Sequence, residues 1–134
     1  MANELTIDGL HQVALTTKDI TRACEFYRDT LGLELLTVID PPGLAFFDMF
    51  GVRLSLMQDD ETEPSDSVIY FRVPDIDSAV AALKEKSVTL EQEPELVFKD
   101  DKGKFGDAGE EEWIAFFCDP DGNLLALASR KKSD

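Results

Sequence analysis

Most of the residues from which reactive sites are assembled are scarce in this chain. His11 is the only histidine in 134 residues, and Cys24 and Cys118 are the only cysteines. The cysteines form no disulfide framework and no C-x-x-C pair, so a reducing cytoplasm is the expected compartment. There is no H-E-x-x-H zinc motif and no glycine-rich phosphate loop. No apolar run reaches the roughly 18 to 20 residues needed to span a membrane. The opening "MANELTIDGL" lacks the basic-then-apolar pattern of a secretory signal. Bases are short too: 13 Lys and Arg stand against 28 Asp and Glu, for a net charge of −15. A nucleic-acid partner is therefore not expected, because phosphate binding needs a basic face. An anionic membrane surface is disfavoured for the same reason.

What is present suits one folded domain. The hydrophobic content of 43% supports a core despite 31% charged residues. Much of the acid is local. "QDDETEPSDS" (58–67) has five acids and no base, and "EQEPELVFKDDKGKFGDAGEEE" (91–112) has nine acids and three bases. Both stretches read as surface connections, so the charge speaks for solubility more than for a site that attracts cations.

The chain is written twice. "VALTTKDITRACEFYRDTLGLEL" (13–35) and "IYFRVPDIDSAVAALKEKSVTL" (69–90) share one plan. Each opens on an alternating apolar strand and reaches an Asp–Ile pair, Asp19–Ile20 and Asp75–Ile76, 56 residues apart. Asp is a good helix N-cap, and helical spacing follows. Ile20, Ala23, Cys24, Tyr27 and Leu31 share one face, as do Ile76, Ala79, Val80 and Leu83. Gly32 suits a positive-φ helix exit, and Ser87 stands at the same point of copy two. Short strands follow at 33–39 and 88–92. The copies also close alike, because "FFDMFGVRLSL" (46–56) matches "FCDPDGNLLAL" (117–127) at an offset of 71. The change of offset implies extra residues in copy two, expected as a loop over 93–112.

Each copy therefore reads β-α-β-β-β. The expected fold class is α+β, with two βαβββ repeats whose curved mixed sheets form a shared cleft. The expected organisation is a single domain over 1–134. Repeat one covers 7–57, an acidic linker 58–67, repeat two 68–128 and a tail 129–134. A ligand site is expected in the cleft.

At "HQVALTTKDITRACEFYRDTLGLEL" and "AFFCDPDGNLLAL" the sequence resembles the vicinal oxygen chelate superfamily. That superfamily contains glyoxalase I, methylmalonyl-CoA epimerase, extradiol dioxygenases and the fosfomycin- and bleomycin-resistance proteins. The resemblance covers nearly the whole chain and speaks for fold rather than activity. It implies, in metal-using members, one divalent ion held by four ligands, from the first and last strands of each unit. The matching positions here are Gln12, Ser55, Val68 and Ala126. Val and Ala have no lone pair to give, and one Gln carbonyl with a neutral Ser hydroxyl cannot hold a divalent ion. No metal and no cofactor are therefore expected. The resemblance also implies a homodimer.

Strand parity places Gln12, Ala14 and Thr16 on the cleft face of the first strand, with Val68, Tyr70 and Arg72 in copy two. On the closing strands it places Arg53, Ser55 and Met57, and Leu124, Ala126 and Ala128, there. The expected ligand-binding residues are Gln12, Arg53, Ser55, Val68, Tyr70, Arg72 and Ala126. No catalytic residue is identified. Parity puts His11 on the opposite face, with Val13 and Leu15, as a surface or strand-end residue. The two arginines would favour a carboxylate or phosphate on a largely apolar ligand, unless they pair with nearby Asp or Glu. Tyr70 and Trp113 read as packing residues, though Trp113 and Phe105 could also form an aromatic lid. Cys24 reads as an inert core thiol. Asp119, Asp121 and Gly122 serve a turn.

Two functions remain open. One is a metal-independent small-molecule-binding protein that sequesters a toxic or antibiotic compound, as in the bleomycin-resistance members. The other is an enzyme. It would be a metal-dependent lyase or isomerase of the glyoxalase I or epimerase type, drawing carboxylates from 93–112, or a metal-free catalyst using Tyr70 or Arg72.

Overall fold

The alternation at Val13 and Leu15 yields β1 (Gln12–Thr17), and Asp19 turns the chain into a helix. A computed structural model describes residues 4–133. Asp19 is extended, and its carboxylate accepts the Arg22 N–H at 3.1 Å, capping α1 (Ile20–Glu25). The helix buries Ile20, Ala23 and Cys24, then widens into a π-helical turn over Phe26–Thr30. Leu31 N–H bonds the Phe26 carbonyl, five residues back, at 3.0 Å. Tyr27 lies fully buried on the inner side of this turn, its ring 6.0 Å from that of Phe47. Gly32 ends the turn at φ +77°, and β2 (Glu34–Ile39), β3 (Leu44–Met49) and β4 (Val52–Gln58) follow.

The second copy repeats these steps with β5 (Ile69–Arg72), α2 (Ile76–Glu85), β6 (Leu90–Asp100), β7 (Glu110–Cys118) and β8 (Leu124–Lys132). Asp75 caps α2 by accepting from Asp77 and Ser78 N–H. Its carboxyl is held below the usual value, first by the Ser78 hydroxyl and then by those backbone donors. Ser87 takes φ +65° where Gly32 takes its positive φ, so both helices exit through a left-handed residue.

The chain divides after Thr62 into two compact units. Each is one four-stranded mixed sheet with its helix, in the orders β1-β4-β3-β2 and β5-β8-β7-β6. In each sheet the first strand is parallel to the last, and the other pairs are antiparallel. The ladders reproduce the sequence offsets. Ala14 stands opposite Ser55, and 56 and 71 residues later Tyr70 stands opposite Ala126. Leu15, Ile20, Tyr27, Phe47, Leu54 and Leu56 fill one core. Phe71, Ile76, Leu83, Phe117, Leu125 and Leu127 fill the other.

The last strand of each unit is internal, flanked on both sides, and its consecutive residues are buried. These are Leu54, Ser55 and Leu56 in β4, and Leu125, Ala126 and Leu127 in β8. A strand covered on both faces reads as a continuous apolar run. This accounts for "LLALA" without reference to chemistry.

The expected loop over 93–112 is corrected. The extra residues of copy two lengthen a hairpin, so that β6 runs to Asp100, β7 starts at Glu110, and only 101–109 connect them. Pro94 hid the long strand, but β6 is the edge of its sheet, where a residue without an N–H does no harm. Likewise β8 continues through Ser129–Lys132, where the sequence suggests a tail.

Asp100 pins the end of this hairpin. It is buried, and it accepts the N–H groups of Lys104 at 2.8 Å and Phe105 at 2.9 Å and the Arg130 Nη2 at 2.8 Å. Arg130 also meets Glu110 at 3.2 Å and Glu112 at 3.6 Å. Burial acts to raise the Asp100 carboxyl. The Phe105 and Lys104 amides and the guanidinium outweigh it and hold the group below its ordinary value. The Phe105 ring, which with Trp113 could form an aromatic lid, packs on Phe98 at 5.2 Å between centroids.

The turn between β7 and β8 is built around Asp119. Its carboxylate accepts Asp121 N–H, Asn123 N–H and Asn123 Nδ2, each at 2.9 Å. Gly122 has φ +84°. Asn123 Oδ1 in turn accepts Ser65 N–H at 2.7 Å, which fixes the end of the acidic linker.

Two outcomes are expected. Phe117, fully buried, should cost about 3–5 kcal/mol when replaced by alanine, read from urea denaturation. A carboxyl depressed in the folded state stabilises at pH values above its unfolded pKa, near 3.8, and that contribution is lost as pH falls through the folded value. Asp100→Asn should therefore destabilise at neutral pH, with the difference from wild type shrinking as pH falls below about 4. Hydrogen exchange at the Lys104 and Phe105 amides should accelerate in the same variant.

Candidate functional site

In the first unit, the residues opposite those buried against α1 form a helix-free sheet face. Its three ladder rows are Gln12, Arg53 and Asp48; then Ala14, Ser55 and Phe46; then Thr16, Met57 and Leu44. Gln12, Arg53 and Ser55 are thus brought together as parity expects. They form a continuous hydrogen-bonded series. Arg53 Nε donates to Gln12 Oε1 at 3.1 Å, and Gln12 Nε2 donates to Ser55 Oγ at 3.3 Å.

His11 joins this series, which parity does not anticipate. It precedes β1, so the alternation of the strand does not bind it. Its Nε2 lies 3.0 Å from Arg53 Nη2, while its carbonyl accepts Arg53 N–H at 3.1 Å. A guanidinium can only donate, so His11 Nε2 is the acceptor in this contact. Arg53 also lies over the Phe46 ring, 5.9 Å from its centroid.

The expected pairing of the arginines with carboxylates does not occur among the described residues. Asp48 stands opposite Arg53 in the ladder, yet its Oδ1 faces Gly51 N–H at 3.5 Å. Arg72 is exposed, and its side chain has no hydrogen bond or ion pair among the described residues.

In the second unit, Tyr70, Ala126 and Phe116 occupy one row across three strands. The Tyr70 and Phe116 rings meet edge to face with centroids 6.0 Å apart, leaning together across the intervening strand. Ala126 between them is fully buried, whereas Tyr70 is 53% exposed. The methyl of Ala126 is therefore packing rather than accessible lining. Val68 is half-buried and lies one residue before β5. Phe116 carries no sequence signal for a site role and is legible only from the ladder.

The residues at the four family metal positions do not fit a divalent ion. Val68 and Ala126 carry no donor. Ser55 is buried under the Gln12 amide. Gln12 Oε1, the one good donor atom of the set, already accepts from a guanidinium, whose charge would repel a cation. Among the described residues no group of three or more His, Cys, Asp or Glu is placed to hold a metal. The acids expected from 93–112 are partly engaged, with Asp100, Glu110 and Glu112 all against Arg130.

Neither cysteine is poised as a nucleophile. Burial pushes the Cys24 thiol up despite Arg28, and burial with the Glu91 charge does the same to Cys118. Trp113 is half-buried, with its Nε1–H on Glu111 at 3.3 Å and Lys131 Nζ 4.7 Å from the ring centroid.

Comparison with known proteins bears on this geometry. Residues 9–127 match the sequence model of the Glyoxalase/Bleomycin resistance protein/Dioxygenase superfamily. The uncharacterized protein YraH of Bacillus subtilis is 27% identical over 88% of this chain and 95% of its own. A superfamily member from Sphaerobacter thermophilus has a solved structure of TM-score 0.71 at 26% identity, covering 93% of this chain and 99% of that one. The lactoylglutathione lyase of Agrobacterium tumefaciens shares the fold with TM-score 0.67 at 20% identity, covering 92% and 94%. No helix among the described residues is long and apolar enough to cross a membrane. Duplicated βαβββ units, matching ladders and a family match over 9–127 carry one conclusion: the chain belongs to the glyoxalase/bleomycin resistance protein/dioxygenase superfamily.

Proposed function

We propose that this chain is a metal-independent small-molecule-binding protein of its superfamily, which sequesters a toxic or antibiotic compound. The observation that carries the reading is the Arg53–Gln12 hydrogen bond. It occupies the best donor atom of the four metal positions with a fixed positive charge. The helix-free face of the first unit supports it further. Exposed Ala14, half-buried Phe46 and Met57 at 48% exposure offer apolar surface beside a few polar groups. The same reading has the protein acting in the cytoplasm, where both free thiols stay reduced. It also has the protein paired as a homodimer, with the exposed Leu36, Val38 and Ile39 of edge strand β2 as apolar surface available for burial.

Protein dialysed against excess zinc, nickel or manganese and then desalted should retain well under about 0.1 ion per chain, measured by elemental analysis. Retention of one ion per chain would overturn the reading and put a metal-dependent lyase or isomerase in its place. Light scattering should give twice the chain mass of 14.9 kDa.

A further inference from the structure

We propose that Arg53 is a carboxylate-binding residue, held by His11 and Gln12, and that the helix-free face of the first unit takes a flat aromatic acid. The proposal rests on the small-molecule reading above and names the ligand class.

The argument begins with the donors of the guanidinium. Its Nε–H goes to Gln12 Oε1 and one Nη2–H goes to His11 Nε2. One side of the fork is thereby fixed. The second Nη2–H and the Nη1 amino group remain, with no acceptor among the described residues. Together they form the end-on pair that matches the two oxygens of a carboxylate. Holding the side chain from two sides removes much of the rotamer freedom that an exposed arginine would otherwise lose on binding. A buried or tightly paired arginine would be structural. This one is exposed, is held by an amide oxygen and an imidazole nitrogen rather than a carboxylate, and leaves its ladder neighbour Asp48 to the Gly51 turn. Despite the net charge of −15, Arg53 forms no ion pair among the described residues, and its partners are an amide oxygen and an imidazole nitrogen.

The rest of the face describes the body of the ligand. The surface from Arg53 to Met57 spans four residues of strand, about 13 Å. Phe46 lies under the guanidinium, and Ala14, Phe46 and Met57 continue the apolar floor. An aromatic acid of two fused rings fits that length. Its carboxylate would sit on Arg53, with the rings along Phe46 and the adaptable Met57 thioether at the far end.

The test uses 2-naphthoate and its neutral analogue 2-naphthalenemethanol, titrated calorimetrically into the full chain and into Arg53→Met and Arg72→Met. Arg53→Met should weaken naphthoate binding at least about tenfold, the loss expected for a charge-assisted pair, and should leave the alcohol within about twofold. Arg53→Lys should recover only part of the loss, since an ammonium has no planar fork. Naphthoate should also shift the Arg53 Nε–H resonance in the folded wild type. Equal naphthoate affinity in wild type and Arg53→Met overturns the assignment, as does a loss confined to Arg72→Met. Failure to bind naphthoate at all overturns it too. If the alcohol binds with or without Arg53 and the acid gains nothing, the carboxylate assignment falls and the small-molecule reading stands. Stoichiometric metal retention would instead defeat that reading.

Discussion

The parallel pairing of first and last strands governs the rest of each unit. β1 lies beside β4 and β5 beside β8, and each pair is joined through a helix and an antiparallel hairpin. Once the last strand sits between its neighbours, both of its edges are hydrogen-bonded, and its middle residues, Leu54–Leu56 in β4 and Leu125–Leu127 in β8, are buried. The same placement puts Arg53 next to Gln12 in one unit and Ala126 between Tyr70 and Phe116 in the other. Fold and candidate site are two consequences of one ladder.

The two copies have used the shared plan differently. In the first unit the helix-free face keeps a polar series, His11–Arg53–Gln12–Ser55, beside exposed apolar surface. In the second, the row matching Ala14, Ser55 and Phe46 holds Tyr70, a buried Ala126 and Phe116, with the two rings edge to face. The second copy has put its charge elsewhere. Its lengthened hairpin is closed by Arg130 with Asp100, Glu110 and Glu112, so part of the acidity of this region is structural. Asp100 satisfies two backbone amides as well as the arginine, which is why a buried carboxylate is tolerated there.

In the proposed function a guanidinium stands where metal-using members hold a cation, and the two groups differ in what they can do. A divalent ion binds any pair of oxygens within its coordination sphere and polarises them strongly. An arginine offers a planar fork that selects carboxylate geometry and polarises weakly. A site of the second kind suits recognition more than enolate chemistry. This fits the absence of a poised nucleophile at Cys24 or Cys118.

The sequence by itself determined the repeat, both aspartate caps, the left-handed exits at Gly32 and Ser87, and the composition of the four family positions. Each of these is local or periodic: a cap needs one side chain, and a strand face needs only alternation. Parity also placed Gln12, Arg53 and Ser55 on one face, because the period of a strand is fixed. Tertiary structure decided what periodicity cannot carry. His11 lies outside the strand, so its reach to Arg53 depends on a ladder between residues 42 apart. The far end of the β6–β7 hairpin, within 93–112, reads as loop in the sequence because its acids and Pro94 mask strand signals, and the edge position and Arg130 that fix it come from elsewhere in the chain. The burial of Ala126, in a row with Tyr70 and Phe116, depends on which strands flank β8. Pairing across distance assigns each polar group its partner, and that assignment exists only once the sheets have formed.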